Sequence, residues 1–516
     1  MPVMTLRRAG MLFTTALAAW VQMGAGPVRI DTPVPGQVID VDTKAPIEGA
    51  AVRLQHWAGC PQFHVTKSHP KPPRETLTDA DGRFTIGGGV TVAPCLWPGW
   101  STRLDIVAPG YLTDGAHDDD FDEPALQSVR RGTFELDRVR YRVELEEYER
   151  LAKYPLGSSG SKWAQALATA RSMSVQPAGR LGVFASQPGA VFDRVATVKR
   201  GHTRRLLNWS VITQDRNTGA LYEWTTKGTA EVIPALPDGA TMLAGRPSVL
   251  DSEPFFVQPG AFYVRSDRPI PLRGYGTAPP TWFAVPAQFG GARAATRWGR
   301  WLVALEADSR AIAVYDLDRW SDSYVPRRQP GEPREIRPGP GLTLTEVLPG
   351  AELPIECMTT VYGTHSGLAF IARTAGERGL YLLTQSPERD PQTWKAERID
   401  VLDGVLSSEA TACAGGQNVL YVALKDQGIF RLDIGQYPTG RPLDWRRGGK
   451  VMARGSLKGP AGPVNFTALA VADIDDAWEV LYAVAGDDAV YRFSGDLRPD
   501  RRIELTLPPV RDGSPP

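Results

Sequence analysis

Short apolar runs rich in β-branched and aromatic residues recur through much of the chain, and short polar breaks interrupt them. That spacing predicts β-strands joined by tight turns. The clearest case is Asn418 to Ile434. Val419 to Leu424 is a run rich in β-branched and aromatic residues, Lys425 to Gly428 is a polar turn, and Ile429, Phe430 and Leu432 carry a second strand. Trp301 to Leu317, Leu368 to Thr384 and Leu481 to Ser494 repeat the plan. Leu207 to Trp224 is a weaker copy, and Phe255 to Val264 is the poorest. Taking Leu207, Phe255, Leu302, Leu368, Leu420 and Leu481 as equivalent points gives spacings of 48, 47, 66, 52 and 61 residues.

A four-stranded blade takes about 40–50 residues, and insertions lengthen it. A sheet with two apolar faces cannot bury both alone, whereas radial packing covers them and leaves short edges. Over roughly residues 180–510 the repeat therefore resembles the β-propeller superfamily. It carries no Trp-Asp ending, double glycine or Ca²⁺ nonapeptide that would point to one propeller family. The expected fold is all-β: a small N-terminal β-sandwich, a helical connector and a C-terminal β-propeller of about six blades, within a range of five to seven. A large β-sandwich is the competing architecture.

Residues 28–113 contain three ordered pieces. Gly36 to Gln55 opens Gly-x-Val and continues Pro-x-x-Gly-Ala-x-Val. Thr78 to Phe84 reads Thr-Asp-x-Asp-Gly-x-Phe, and Pro109-Gly110-Tyr111 closes the segment. These residues resemble the carboxypeptidase regulatory-like domain, a small prealbumin-like β-sandwich. The resemblance implies a non-catalytic accessory module, here with an insertion from His56 to Arg74. The expected divisions are 1–26 as an export signal, 28–145 as the sandwich, 146–177 as a helical linker and 178–512 as the propeller. Phe134 to Glu146 alternates like a further strand. Lys162 to Met173 is Ala-rich, with Trp163 and Leu167 one helical turn apart. Ser323 to Pro354, with seven Pro, reads as the longest irregular piece.

The signal reading rests on Arg7-Arg8, the apolar run Gly10 to Val21 and the small residues Gly24 to Gly26. That run is shorter than the roughly 20 residues of a membrane span, so no integral span is expected. The compartment implied is the periplasm or the exterior.

Lys plus Arg equals Asp plus Glu at 58 each, which gives no electrostatic footprint for nucleic acid. Gly and Pro together number 96, which suits a turn-rich β protein.

The chemistry-bearing residues are sparse. His56, Cys60, His64 and His69 fall within 14 residues and could ligate Zn²⁺ or Cu. Against this, Cys95 offers Cys60 a disulfide partner in an exported sandwich. Cys357 and Cys413 fall in the first strands of consecutive repeats. Their offsets of 11 and seven residues from Leu368 and Leu420 leave a bridge and two buried thiols equally open. Asp79-x-Asp81-Gly82 resembles the start of a Ca²⁺ loop but lacks the carboxylate at position 90, so a hairpin turn is expected. Asp118 to Glu123 reads as a solvated acidic loop.

No nucleophile, zincin or phosphate-loop motif is present. His202 and His365 stand near the starts of two hairpins. The turns between second and third strands would form a ligand face carrying Asp215, Arg216, Asp308, Arg310, Glu377, Arg378, Lys425, Asp426, Asp487 and Asp488. The function expected is an exported bacterial binding or scaffold protein of the envelope or extracellular space, with a protein or carbohydrate partner and no cofactor. The alternative is a propeller enzyme acting on a glycan or lactone, its groups gathered from several blades. A metal-handling protein using His56, His64 and His69 is the third reading.

Overall fold

The computed structural model describes residues 28–62, 65–95, 99–112, 114–117, 132–146, 161–199, 209–225, 228–233, 241–243, 255–258, 261–266, 281–286, 292–298, 301–306, 311–316, 337–338, 342–361, 367–383, 391–399, 405–434, 450–459, 462–475 and 478–506. The chain divides into two compact units. One is Met1–Ala178 with Ile503–Pro516, and the other is Gly179–Arg502. Residues 1–26, expected as an export signal, residues 118–123, expected as an acidic loop, and His64, His202, His365, Asp308 and Arg310 lie outside the described residues.

In the first unit two sheets enclose one core. The strand Val28–Asp40 pairs antiparallel with Arg83–Val92 and parallel with Thr133–Leu136. In the second sheet Ala51–Gln62 pairs with Val65–Pro70, Arg74–Leu77 and Gly99–Val107. Alternate residues point inward, and Val38, Val52, Leu54, Phe84, Ile86, Leu104, Ile106, Phe134 and Leu136 share the core. The strands Arg74–Leu77 and Arg83–Val92 belong to different sheets, so the expected hairpin is instead a tight sheet-to-sheet turn at Asp79. Its carboxylate accepts the N–H groups of Asp81 and Arg83, and Gly82 has φ +69°, where a Cβ would strike the Val38 carbonyl.

The alternation from Phe134 to Glu146 does not give one long strand. The strand stops at Leu136, and residues 142–146 are helical. The Glu144 carboxylate accepts the backbone N–H groups of Arg140 and Tyr141, satisfying donors that a helix start leaves open. The helix Lys162–Arg171 is capped by Ser161, whose side chain accepts the Ala164 N–H. It packs Trp163, Ala166 and Ala170 with Ala51, Val107 and Met173, and Leu505 joins this cluster.

The second unit is a β-propeller. Its six antiparallel sheets follow from the strand pairing. Blade 1 is Phe192–Lys199, Trp209–Asp215, Leu221–Trp224 and Ala230–Ile233. Blade 2 is Thr241–Leu243, Phe255–Gln258, Ala261–Ser266 and Thr281–Pro286. Blade 3 is Ala292–Trp298, Trp301–Glu306 and Ala311–Asp316, with an outer strand in two pieces, Arg337–Pro338 and Leu342–Thr343. Blade 4 is Glu352–Val361, Gly367–Thr374, Glu377–Leu383 and Glu397–Ile399. Blade 5 is Ala410–Gly415, Val419–Leu424, Gly428–Asp433 and Lys450–Gly455. Blade 6 takes Ala468–Asp475, Trp478–Val484 and Ala489–Ser494 from the end of the unit and Val183–Ser186 from its beginning. Each inner strand neighbours the next, and the sixth neighbours the first, so the ring is closed.

Two expectations change here. The Pro-rich stretch 323–354 is not simply irregular, since it supplies the outer strand of blade 3 and the short helix Leu344–Val347. An outermost strand tolerates proline because one of its edges needs no donors. The Cys357 and Cys413 offsets also shrink in space. Thr360 is the partner of Leu368 and lies three positions from Cys357; Gly415 is the partner of Leu420 and lies two positions from Cys413. Links of different length had inflated the chain distance. The two Cys form a disulfide with Cα atoms 6.0 Å apart. Cys60 and Cys95 form the other, at 5.9 Å.

Ring closure is reinforced at blade 6. The Arg492 guanidinium lies 5.6 Å from the Phe184 ring centroid and 5.8 Å from that of Tyr482. Its Nε is 3.1 Å from Asp500 Oδ2, and both side chains are 1% exposed. Backbone bonds run from Gly182 N to Asp500 O, Arg492 N to Gly182 O and Asp500 N to Arg492 O.

Candidate functional site: the turn face of the propeller

The second-to-third strand turns and the links between blades share one face. Their carboxylates mostly serve the turns themselves. Asp215 is buried and accepts Val191 N, Asn217 N and the Thr218 hydroxyl. Burial pushes its carboxyl upward, but the Thr218 hydroxyl and the neighbouring N–H groups outweigh that and hold it below the usual range. Arg216 beside it is exposed.

In blade 5, Asp426 sits at φ +62°, a conformation that Asp and Asn adopt more readily than most residues. Its N–H donates to Asn465 Oδ1 at 2.6 Å, and Asn465 Nδ2 donates back to Asp426 Oδ1 at 2.8 Å. This reciprocal pair ties the turn of blade 5 to the first link residues of blade 6. The Lys425 backbone bonds Glu409 and Ser408, while its side chain is exposed.

In blade 6 the Asp487 carboxylate accepts Ala489 N and the Tyr491 hydroxyl. Burial first, and this bond second, raise the Tyr491 phenol above its ordinary value. The Asp487 carbonyl accepts Phe192 N of blade 1, and the Asp488 carbonyl accepts Gln187 N.

In blade 4, Glu377 is exposed and pairs with Arg398 at 3.4 Å. Arg378 turns inward and donates through Nε to Glu356 Oε1 at 2.6 Å. Glu356 is the residue that sequence reasoning missed. It sits on the inner strand of blade 4, also accepts Ala410 N of blade 5 at 2.7 Å, and lies 3.6 Å from Arg373 Nε. A lone Glu inside the apolar run from Leu353 to Val361 was the available signal.

Hydroxyl groups join the inner strands. Thr197 donates to the Val471 carbonyl, Thr411 to that of Phe466 and Thr467 to that of Asp193. Thr296 and Thr360 bond each other at 2.7 Å, and Gly415 N donates to Thr359. On the side of the ring away from the turn face, Glu479 is buried and accepts the Tyr421 hydroxyl at 2.6 Å and Gln417 N. Burial first, then the Glu479 charge, raises the Tyr421 phenol well above its ordinary value.

Of the histidine candidates, His56 and His69 lie among the described residues. His56 is buried with Nδ1 2.9 Å from Thr102 Oγ1, and His69 stands opposite Ala58. Cys60 is committed to its disulfide. Among the described residues no group of three or more His, Cys, Asp or Glu is placed to hold a metal ion. What is offered outward is a set of exposed charges: Arg216, Lys425 and Asp426 on turns, and Glu377 with Arg398 on strands of blade 4. Such groups make ionic and hydrogen-bonded contacts with a polar partner. Among the described residues no helix is long and apolar enough to cross a membrane.

No protein-family model matches the chain, and no curated protein matches it. Solved structures do. The chain is similar to the PQQ-bound aldose sugar dehydrogenase of Streptomyces coelicolor at 12% identity and a TM-score of 0.33, over 65% of this chain and 98% of that one. It is similar to the β-propeller domain of Cps50 (Swd1) from Myceliophteria thermophila at 9% identity and a TM-score of 0.32, over 64% and 99%. It is also similar to YCF48 bound to D1 peptide, at 12% identity and a TM-score of 0.31, over 63% and 97%.

Proposed function

We propose that this is an exported binding or scaffold protein of the bacterial envelope or extracellular space, which presents the turn face of its propeller to a protein or carbohydrate partner. In this reading residues 28–145 are a carboxypeptidase regulatory-like accessory module with the helix Lys162–Arg171 packed on it, and the propeller is Gly179–Arg502. The supporting observation is how the turn carboxylates are used. Asp215, Asp426 and Asp487 hold turns and links in place, and Glu356 neutralises Arg378. A rigid rim with outward charges of both signs is suited to recognition, because little ordering remains to be done on binding.

The two disulfides and the apolar run near the N-terminus support export. A mature chain beginning near Gly26, measured by intact mass from its own host, is the expected result. A chain retaining Met1 overturns export. For the face, the purified full chain is screened against a glycan array and against envelope proteins by cross-linking. Glu377→Lys with Lys425→Glu is expected to abolish the captured interaction while the melting temperature stays unchanged. Turnover of a glycan or lactone by the pure protein refutes the scaffold reading.

A further inference from the structure

In the first unit the strand Arg83–Val92 is an edge of its sheet. Among the described residues it pairs only with Val28–Asp40. Edge strands are ordinarily guarded against pairing with another chain by charges, prolines or a cover. Here no charged residue occurs from Phe84 to Cys95, and the first proline is Pro94. Near the end of the strand Val90 and Val92 are 61% and 58% exposed. They share one face, and they stand opposite Ile30 and Val28 of the neighbouring strand.

The segment Gly89-Val90-Thr91-Val92-Ala93 has nearly the same pattern in both directions. Laid antiparallel against a second copy about a two-fold axis at Thr91, each Val90 meets Val92 of the other copy, and Thr91 meets its own counterpart. Pairs of β-branched residues and of Thr across neighbouring strands are favourable. The same register sets Pro94, which has no N–H, opposite Gly88, whose carbonyl already accepts Arg74 Nη1. A missing donor thus faces an acceptor already satisfied. Arg29 stands in the row of Thr91. The two copies of Arg29 would lie three strand spacings apart, about 14 Å, beyond the screening length of about 8 Å at physiological salt.

We propose that this edge is a self-association surface, on which two copies of the chain join their Arg83–Val92 strands antiparallel across Thr91. The occupant is a second copy because the segment is complementary to itself and carries no charge that self-pairing would oppose. Four valines and a short ladder bury less than the roughly 1,000 Å² of a stable interface, so the dimer is reversible and forms at high concentration.

The full chain is followed by sedimentation velocity from about 10 μM to about 1 mM. A monomer–dimer equilibrium is expected. Val90→Lys places a charge on the edge and is expected to weaken the dimer at least tenfold, with an unchanged melting temperature. A single introduced cysteine reads the register. The four native Cys are all in disulfides, so it is the one free thiol. At Thr91→Cys the Cα atoms of the two copies would lie about 4.5–5.5 Å apart, within reach of a disulfide. Thr85→Cys lies on the same strand, exposed but away from the axis, and is the control. Oxidation is expected to cross-link the Thr91→Cys variant at least tenfold faster than the control. A chain that stays monomeric across the whole range overturns the proposal. So does a dimer indifferent to Val90→Lys, or equal cross-linking of the two cysteine variants.

Discussion

Replacing Arg492 by Met tests the clasp that closes the ring. The guanidinium and the Asp500 carboxylate are each 1% exposed, so water cannot take over from either partner. Removing one member of such a pair leaves the other charge buried without its counter-ion, which costs about 3–5 kcal/mol. Met restores part of the packing against Phe184 and Tyr482 but not the attraction of a cation to two ring faces, about 0.5–2 kcal/mol. The expected loss is therefore about 4 kcal/mol. For a unit of this size that lowers the midpoint of thermal unfolding by about 6 °C. Calorimetry of the full chain, wild type against variant, measures the loss. Adding Asp500→Asn to Arg492→Met removes the stranded charge and is expected to recover more than half of the loss. A single variant that costs less than about 1 kcal/mol, or a double variant no better than the single, refutes the reasoning.

Tyr421→Phe strips a hydroxyl from the buried Glu479 carboxylate and should cost about 1–3 kcal/mol in chemical denaturation, with no change at the turn face. Cys357→Ser with Cys413→Ser opens a bridge spanning 56 positions and should cost up to about 4 kcal/mol by the chain-entropy estimate; an unchanged denaturation midpoint under reducing and oxidising conditions would count against that bond. In the first unit, burial pushes the Asp40 carboxyl upward, yet Thr43 N–H, Arg138 and Tyr111 outweigh it and hold it at about 2. Its folded value lies below its unfolded value of 3.8, so the stabilisation is full above pH 4 and fades as pH falls toward 2. Acid titration of Asp40→Asn should show that loss, about 2 kcal/mol, missing from the pH profile.

The hairpin at Val419–Asp433 was legible because its information is local. Six apolar residues, a polar turn and a glycine at φ +90° specify it without reference to the rest of the chain. The repeat of that hairpin carried the ring architecture with it. The closing strand was not legible, because Val183–Ser186 finds its partner some 300 residues away and four apolar or small residues match any edge. Arg492 was hidden for a related reason. A cation in the run Val490-Tyr491-Arg492-Phe493 reads as an outward-facing strand residue until Asp500 is folded against it. At the candidate face, the sequence located the turn carboxylates but not their use. Asp426 binds Asn465, 39 positions on, and Arg378 binds Glu356, 22 positions back. Chain spacing also misjudged the depth of Cys357 and Cys413, because distance along the chain counts loop residues that distance along a strand does not.

Closing the ring through Val183–Ser186 has a consequence for chain order. The Gly182 N–H and the Asp500 carbonyl are 2.6 Å apart, so the two ends of the propeller meet at a single hydrogen bond. A circle whose ends touch has no preferred starting point. A short linker from Asp500 to Gly182 would make the propeller continuous, and new termini could then be placed in the exposed turn at Lys425–Asp426, where no strand would be interrupted. A propeller so permuted is expected to fold to the same closed ring, with a different blade at each end of the chain.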